Sequence, residues 1–222
     1  HNLAVVALGE LNSGQFSPQA IIHYLRPLSS FLCLMSSLVA TSGMVESVLT
    51  SQFLPDGLIT SSMHVVAELA PLVASINRDR LTGPATAEER TTVNHAALLV
   101  KSVSTLAHVG GRKARDWVRG LLTSGPQLLT SIISHVMPRH QCVLAEECIN
   151  LVASTLSLLE ELLLDADVHF QDQVMACFTT TSLDGSRNLD GIAMLLSGDT
   201  GVASSVTVSA MRIIFTLADS VT

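Results

Sequence analysis

Thr86-Ala-Glu-Glu89 opens an apolar run that stops at Gly110-Gly111, and this punctuation limits the chain more than any other feature. Thr86 and Glu89 have the spacing of a capping box, in which each side chain satisfies the other's orphan amide. Paired glycines tolerate the left-handed backbone that ends a helix. The reading is a helix from about Thr86 to Val109. Similar signals recur. Ser17-Pro18 reads as an N-cap followed by proline at the first helical position. Gly125-Pro126 opens another helix, and Pro138 opens a long one reaching about Asp165. In that segment Val143, Ile149, Val152, Leu156, Leu159 and Leu163 fall mostly at helical spacing. Residues 78–88 and 180–188 read as connections. No stretch alternates like a strand, so the expectation is an all-α chain.

Composition narrows what such a chain does. The 222 residues carry a formal charge of −7 and only 14% charged side chains, well under the usual ~25%. Mean hydropathy is +0.46. A surface so poor in charge is expected to meet protein over part of its area. The acidic balance excludes a nucleic-acid binder, which needs cations spread over one face. Pro27–Val45 and Gly120–Pro138 are free of charge for 19 residues each, the length of a membrane span. Serines, a Gly-Pro pair and a histidine interrupt them, and they read as buried helices. Cys33, Cys142, Cys148 and Cys177 are scattered in apolar runs without a CxxC pair. That usage predicts buried free thiols in a reducing, cytoplasmic setting, with nuclear or cytoskeletal association also compatible.

Six helices share a weak repeat: an apolar residue, two or three small or polar ones, then Leu. LMSSLVATSG (34–43), VVAELAPL (65–72) and VASTLSLL (152–159) are examples. The aligned leucines are Leu11, Leu38, Leu69, Leu106, Leu156 and Leu217, at spacings of 27, 31, 37, 50 and 61. Small residues before the Leu let stacked helices approach closely. On this pattern the chain resembles armadillo and HEAT repeat proteins. LDGIAMLLSGDTGVASSVTVSAMRIIFTLADS (189–220) is similar to an armadillo second helix, turn and third helix.

The resemblance implies one right-handed α-solenoid over residues 1–222, acting as a non-enzymatic scaffold for partner proteins. Peptide-holding armadillo proteins carry Asn in the slot before that Leu. Here the slot holds Glu10, Ser37, Glu68, Thr105, Thr155 and Thr216. An Asn amide both donates and accepts, which Glu cannot do when ionised. The implied concave face is Ser/Thr-lined, with two acidic points towards the N-terminal end. Both ends lack a recognisable polar cap. The chain is therefore expected to be part of a longer protein, with Val5, Leu8, Ile213 or Leu217 exposed for self-association or for packing on its own remainder.

No phosphate loop, dinucleotide fingerprint or nucleophile elbow occurs, so neither an enzyme nor a cofactor is expected. His135, His140, Cys142 and Cys148 have loose spacing for zinc and read as core or joint residues. Glu146-Glu147 and Glu160-Glu161 read as the solvated stripe of the long helix. The candidate partner site is GGRKARDWVRG (110–120), which gathers four of the twelve basic residues around the only Trp. Arg112, Arg115 and Arg119 stand at i, i+3 and i+7, on one face of a helix. Lys113 lies four residues before Trp117, within cation–π reach. Two uses compete. One is a patch of Arg112, Lys113, Arg115, Trp117 and Arg119 that receives an acidic or phosphorylated segment. The other is an outer helix face, with Asp116 pairing Arg112 and Trp117 turned inward. A regulatory or autoinhibitory domain of a larger enzyme is the alternative role for the whole chain, and behind it an enzyme whose site is built from distant helices.

Overall fold

A computed structural model describes residues 18–42, 56–69, 72–73, 76, 85–124, 127–138, 144–181, 187–197 and 203–219. The described residues form nine α-helices and no strand; Thr181 and Arg187 make one isolated bridge. The helices are α1 (Pro18–Ser42), α2 (Asp56–Glu68), α3 (Ala87–Val109), α4 (Gly111–Thr123), α5 (Leu128–Val136), α6 (Glu146–Leu163), α7 (Val168–Thr179), α8 (Asn188–Ser197) and α9 (Ser204–Asp219). The all-α expectation holds. None of the described helices is long and apolar enough to cross a membrane.

Local chemistry accounts for the boundaries. The Thr86 hydroxyl accepts from the Glu89 amide at 3.2 Å, and the Glu89 carboxylate accepts from the Thr86 amide at 2.8 Å. That is the reciprocal capping box read from sequence. At the other end Gly110 closes α3, and Gly111 takes the left-handed conformation (φ 63°) that lets α4 start at once in a new direction. Asp167 caps α7 by accepting from the Phe170 amide at 2.8 Å. The helix read as starting at Pro138 begins instead at Glu146, behind an extended Ala145. Pro138 lies in the turn after α5, and its carbonyl lies so near Gly191 of α8 that a Cβ there would come within 2.4 Å of it. Ser17, Gly125, Pro126 and the N-terminal repeat copy fall outside the described residues.

Four long helices pack in succession: α1 on α3, α3 on α6, and α6 on α9. Hydrogen bonds between them run in register. Ser29 meets His95 at 3.3 Å, and Ser36 donates to the Ser102 carbonyl at 3.1 Å, both 66 residues apart. Ser104 meets Ser157 and His108 meets Glu161, both 53 residues apart. A constant separation with increasing residue number means that α1, α3 and α6 run parallel. Helices α2, α5, α7 and α8 pack in a second succession, and α4 lies against α3 and α6. One buried apolar cluster takes residues from all nine helices. At roughly 1.5–3 kcal/mol per fully buried large aliphatic side chain, that cluster is the main stabilising term.

Two sequence expectations about surface are corrected. Cys33 is exposed on α1, whereas Cys148 and Cys177 are buried; all three are free thiols. Burial in apolar surroundings raises the Cys177 thiol above its ordinary range. Glu146 is exposed, but the other three glutamates of these pairs form no solvated stripe, because α6 is covered from both flanks. Glu147 pairs with Arg90 of α3 at 3.2 Å, and Glu160 accepts from Ser209 and Arg212 of α9 at 2.8 and 2.7 Å. Glu161 binds His108 of α3 and Arg115 of α4, each at 3.0 Å.

Candidate functional site

The basic stretch is helix α4, and its arginines do share a face. That face looks onto the C-terminal end of α6, where the last carbonyls of a helix lack intrahelical partners. Arg119 is only 7% exposed. Its Nε donates to the Leu162 carbonyl at 2.7 Å, one terminal nitrogen donates to the Leu164 carbonyl, and the other pairs with Asp116. The guanidinium carbon also stands 5.6 Å from the centre of the Phe170 ring on α7, a cation–π contact. Arg115 spans Glu161 and Asp165, each at 3.0 Å. Asp165 itself has a left-handed backbone (φ 54°) at the bend between α6 and α7. Positive charge here also complements the negative end of the α6 dipole.

Arg115 and Arg119 therefore tie α4 to the α6–α7 joint. Arg112 is exposed, 3.8 Å from Asp116 across one helical turn. Trp117 is half-buried against the core. Lys113 is exposed. The sequence brought the right residues together, but two of the three arginines spend their donors inside the molecule. What could not be read locally was the partner, since Glu161 and Asp165 lie 46 and 50 residues from Arg115.

The six slot residues scatter. Glu10 lies outside the described residues. Ser37 (α1) and Thr105 (α3) sit on neighbouring helices, and each hydroxyl bonds back to a carbonyl four residues earlier. Glu68 is exposed at the end of α2. Thr155 is buried, and its hydroxyl has no partner. Thr216 on α9 bonds back to the Arg212 carbonyl at 2.9 Å. The structure places Ser37 and Thr105 on adjacent helices and leaves Thr155 inaccessible. Of the metal candidates, His140 and Cys142 and the His135 side chain are outside what is described, and Cys148 is buried in α6.

Sequence reading missed the outer face of α9. The inward face holds Val206, Ala210, Ile213 and Leu217, all buried. The expectation that Ile213 or Leu217 would be exposed is thus reversed: these two face α6 and α8. On the opposite side Val208, Met211 and Phe215 are 44%, 44% and 67% exposed. Their i, i+3, i+7 spacing was available as a signal, but a helix apolar on both faces gives no hint of which one turns inward. The chain matches no protein-family model, no curated protein and no solved structure.

Proposed function

We propose that this chain is an armadillo/HEAT-type right-handed α-solenoid that works as a non-enzymatic scaffold for partner proteins, in the cytoplasm. The two successions of packed helices, the first with α1, α3 and α6 running parallel, support the repeat architecture, with α1, α3, α6 and α9 as equivalent members. The observation that carries the function is α9. A helix with a second apolar face is ordinarily covered on both sides, and the outward Phe215 is the most exposed large apolar side chain among the described residues. Its cover in this reading is a helix of a partner protein, stacked on α9 as α9 is stacked on α6. Exposed apolar clusters of this kind mark interaction sites on soluble surfaces.

The test compares the wild-type chain with a Met211→Glu/Phe215→Glu variant as bait in affinity capture. Both positions are solvent-facing, so circular dichroism and melting temperature are expected to match. A protein bound by the wild type and lost by the variant, then reproduced with the purified partner, supports the reading. Equal retention by both baits overturns it.

A further inference from the structure

The ion pairs of the described helices leave a conspicuous remainder. Arg90, Arg112, Arg115, Arg119, Arg187 and Arg212 each lie within 4 Å of a carboxylate. Among the described residues Arg26 of α1 and Lys101 of α3 have no such partner, although the chain carries seven more acidic than basic groups. Both side chains belong to exposed residues. No acidic residue occurs anywhere in α1, and those of α3 are confined to its first turn.

The register of α1 on α3 places these two cations on one surface. Ser29 and Ser36 contact His95 and Ser102, so residue n of α1 is level with residue n+66 of α3. Arg26 is one turn from Ser29, and Lys101 adjoins Ser102. Along the parallel axes they are separated by nine residues, about 13 Å at 1.5 Å per residue. Between them Leu98 is 50% exposed and Cys33, level with residue 99, is exposed beside it. By helical spacing Arg26, Cys33 and Ser37 share one side of α1, and Leu98, Lys101 and Thr105 share one side of α3. These two sides meet above the Ser29–His95 and Ser36–Ser102 contacts.

We infer that the α1–α3 surface is a docking site for an acidic peptide segment, in which carboxylates engage Arg26 and Lys101 and an apolar side chain between them covers Leu98. Charge complementarity selects the partner. An exposed cation that has no carboxylate within ion-pair distance is available to one from outside, and a surface free of carboxylates over most of α1 and α3 offers such a segment no local repulsion. Two cations are too few for a nucleic-acid backbone, which demands a broad basic face. The inference rests on the scaffold reading but concerns a surface separate from the outer face of α9.

The probe is a fluorescein-labelled peptide with one leucine flanked by two glutamates on each side, titrated by anisotropy at low salt. Controls replace the glutamates by glutamine or by lysine. The expected result is saturable binding of the glutamate peptide alone, with amide shifts centred on Leu98 and Lys101. Charge reversal in Arg26→Glu/Lys101→Glu is expected to weaken it by roughly 10-fold or more, and Leu98→Ser by about 3-fold. Arg112→Glu, on α4, leaves affinity within about 2-fold. Should the double reversal perturb the fold, Arg26→Gln/Lys101→Gln serves in its place, with a smaller loss in the same direction. Equal binding of the glutamate and glutamine peptides, no binding at all, or indifference to both double variants overturns the inference. The Met211→Glu/Phe215→Glu variant separates the two ideas. It retains peptide affinity if this site exists, whatever becomes of the partner held by α9.

Discussion

Helices α6 and α9 are neighbours of similar composition with different fates. Buried residues of α6, from Cys148 to Leu163, cover an arc of about 160° at 100° per residue. Those of α9 cover only about 60°, although its apolar residues continue round to the far side. Helix α6 is sandwiched between α3 with α4 and α9, so even Glu147, Glu160 and Glu161 are used in interhelix bonds. Among the described residues, helix α9 packs on α6 and α8 through one face. The difference teaches that apolar content in this chain follows an architecture in which long helices are covered twice, and that position alone decides whether a given leucine or phenylalanine is core or surface.

The largest expected effect is at the centre of α6. Leu156 is fully buried. Leu156→Ala removes its transfer energy and leaves a cavity between packed helices that cannot collapse freely. A loss of about 4 kcal/mol in urea unfolding is expected. A loss under about 1 kcal/mol would mean that α6 is no better covered than α9, and the comparison would fail.

Next comes the clamp at the end of α6. Arg119→Ala leaves the Leu162 and Leu164 carbonyls without their donor and Asp116 without its buried partner. The expected cost is about 2–3 kcal/mol. Arg112→Ala, on the exposed part of the same helix, should stay within about 0.5 kcal/mol. Equal losses for the two would show that burial of Arg119 carries no energetic weight.

The legible and illegible parts of this molecule divide along the same line. Signals carried within one turn were readable: the Thr86–Glu89 box, the Gly110-Gly111 stop, the shared face of Arg112, Arg115 and Arg119. Those features depend on residues three to seven apart, and the backbone alone brings them together. Features set by helices packing side by side were not readable. Glu161 joins His108 and Arg115 across separations of 53 and 46 residues, and no local spacing announces such a hub. The burial of Thr155 was hidden for the same reason, because Thr155 looks like Thr105 in sequence and differs only in what covers it. The start of α6 was misplaced since Pro138 is as good an opener of a helix as it is a turn residue lodged against Gly191.

At the other end of the stack, α1 offers a titratable tie to α3. The Ser29 hydroxyl donates to the Arg26 carbonyl at 3.0 Å and so accepts from Nδ1 of a neutral His95 at 3.3 Å. Burial, and then the Arg26 charge, hold the His95 pKa below its ordinary value near 6.5. Above pH 6.5 His95 is neutral in both folded and unfolded chains, and its contribution is complete. As pH falls below 6.5 the unfolded chain takes up the proton first, so stability declines until the folded pKa is passed. Urea midpoints measured from pH 7.5 to 5 should therefore fall less steeply in His95→Asn than in wild type. A steeper fall in the variant would reverse the sign of this coupling.

The smallest effect is expected where the sequence alone would place a large one. Phe215 is a bulky aromatic in the middle of an amphipathic helix, and its removal from a core would cost about 3–5 kcal/mol. In α9 it points away from Val206, Ala210, Ile213 and Leu217 and lies two-thirds in solvent. Phe215→Ser removes little buried area, and serine and phenylalanine have similar helix propensities. The unfolding free energy of the isolated chain should change by no more than about 0.5 kcal/mol. The measurement has to be made at several protein concentrations. A wild-type stability that rises with concentration, while that of Phe215→Ser does not, would identify a second copy of the chain as the cover for this face. A large, concentration-independent loss would place Phe215 in the core and remove the contrast between α6 and α9.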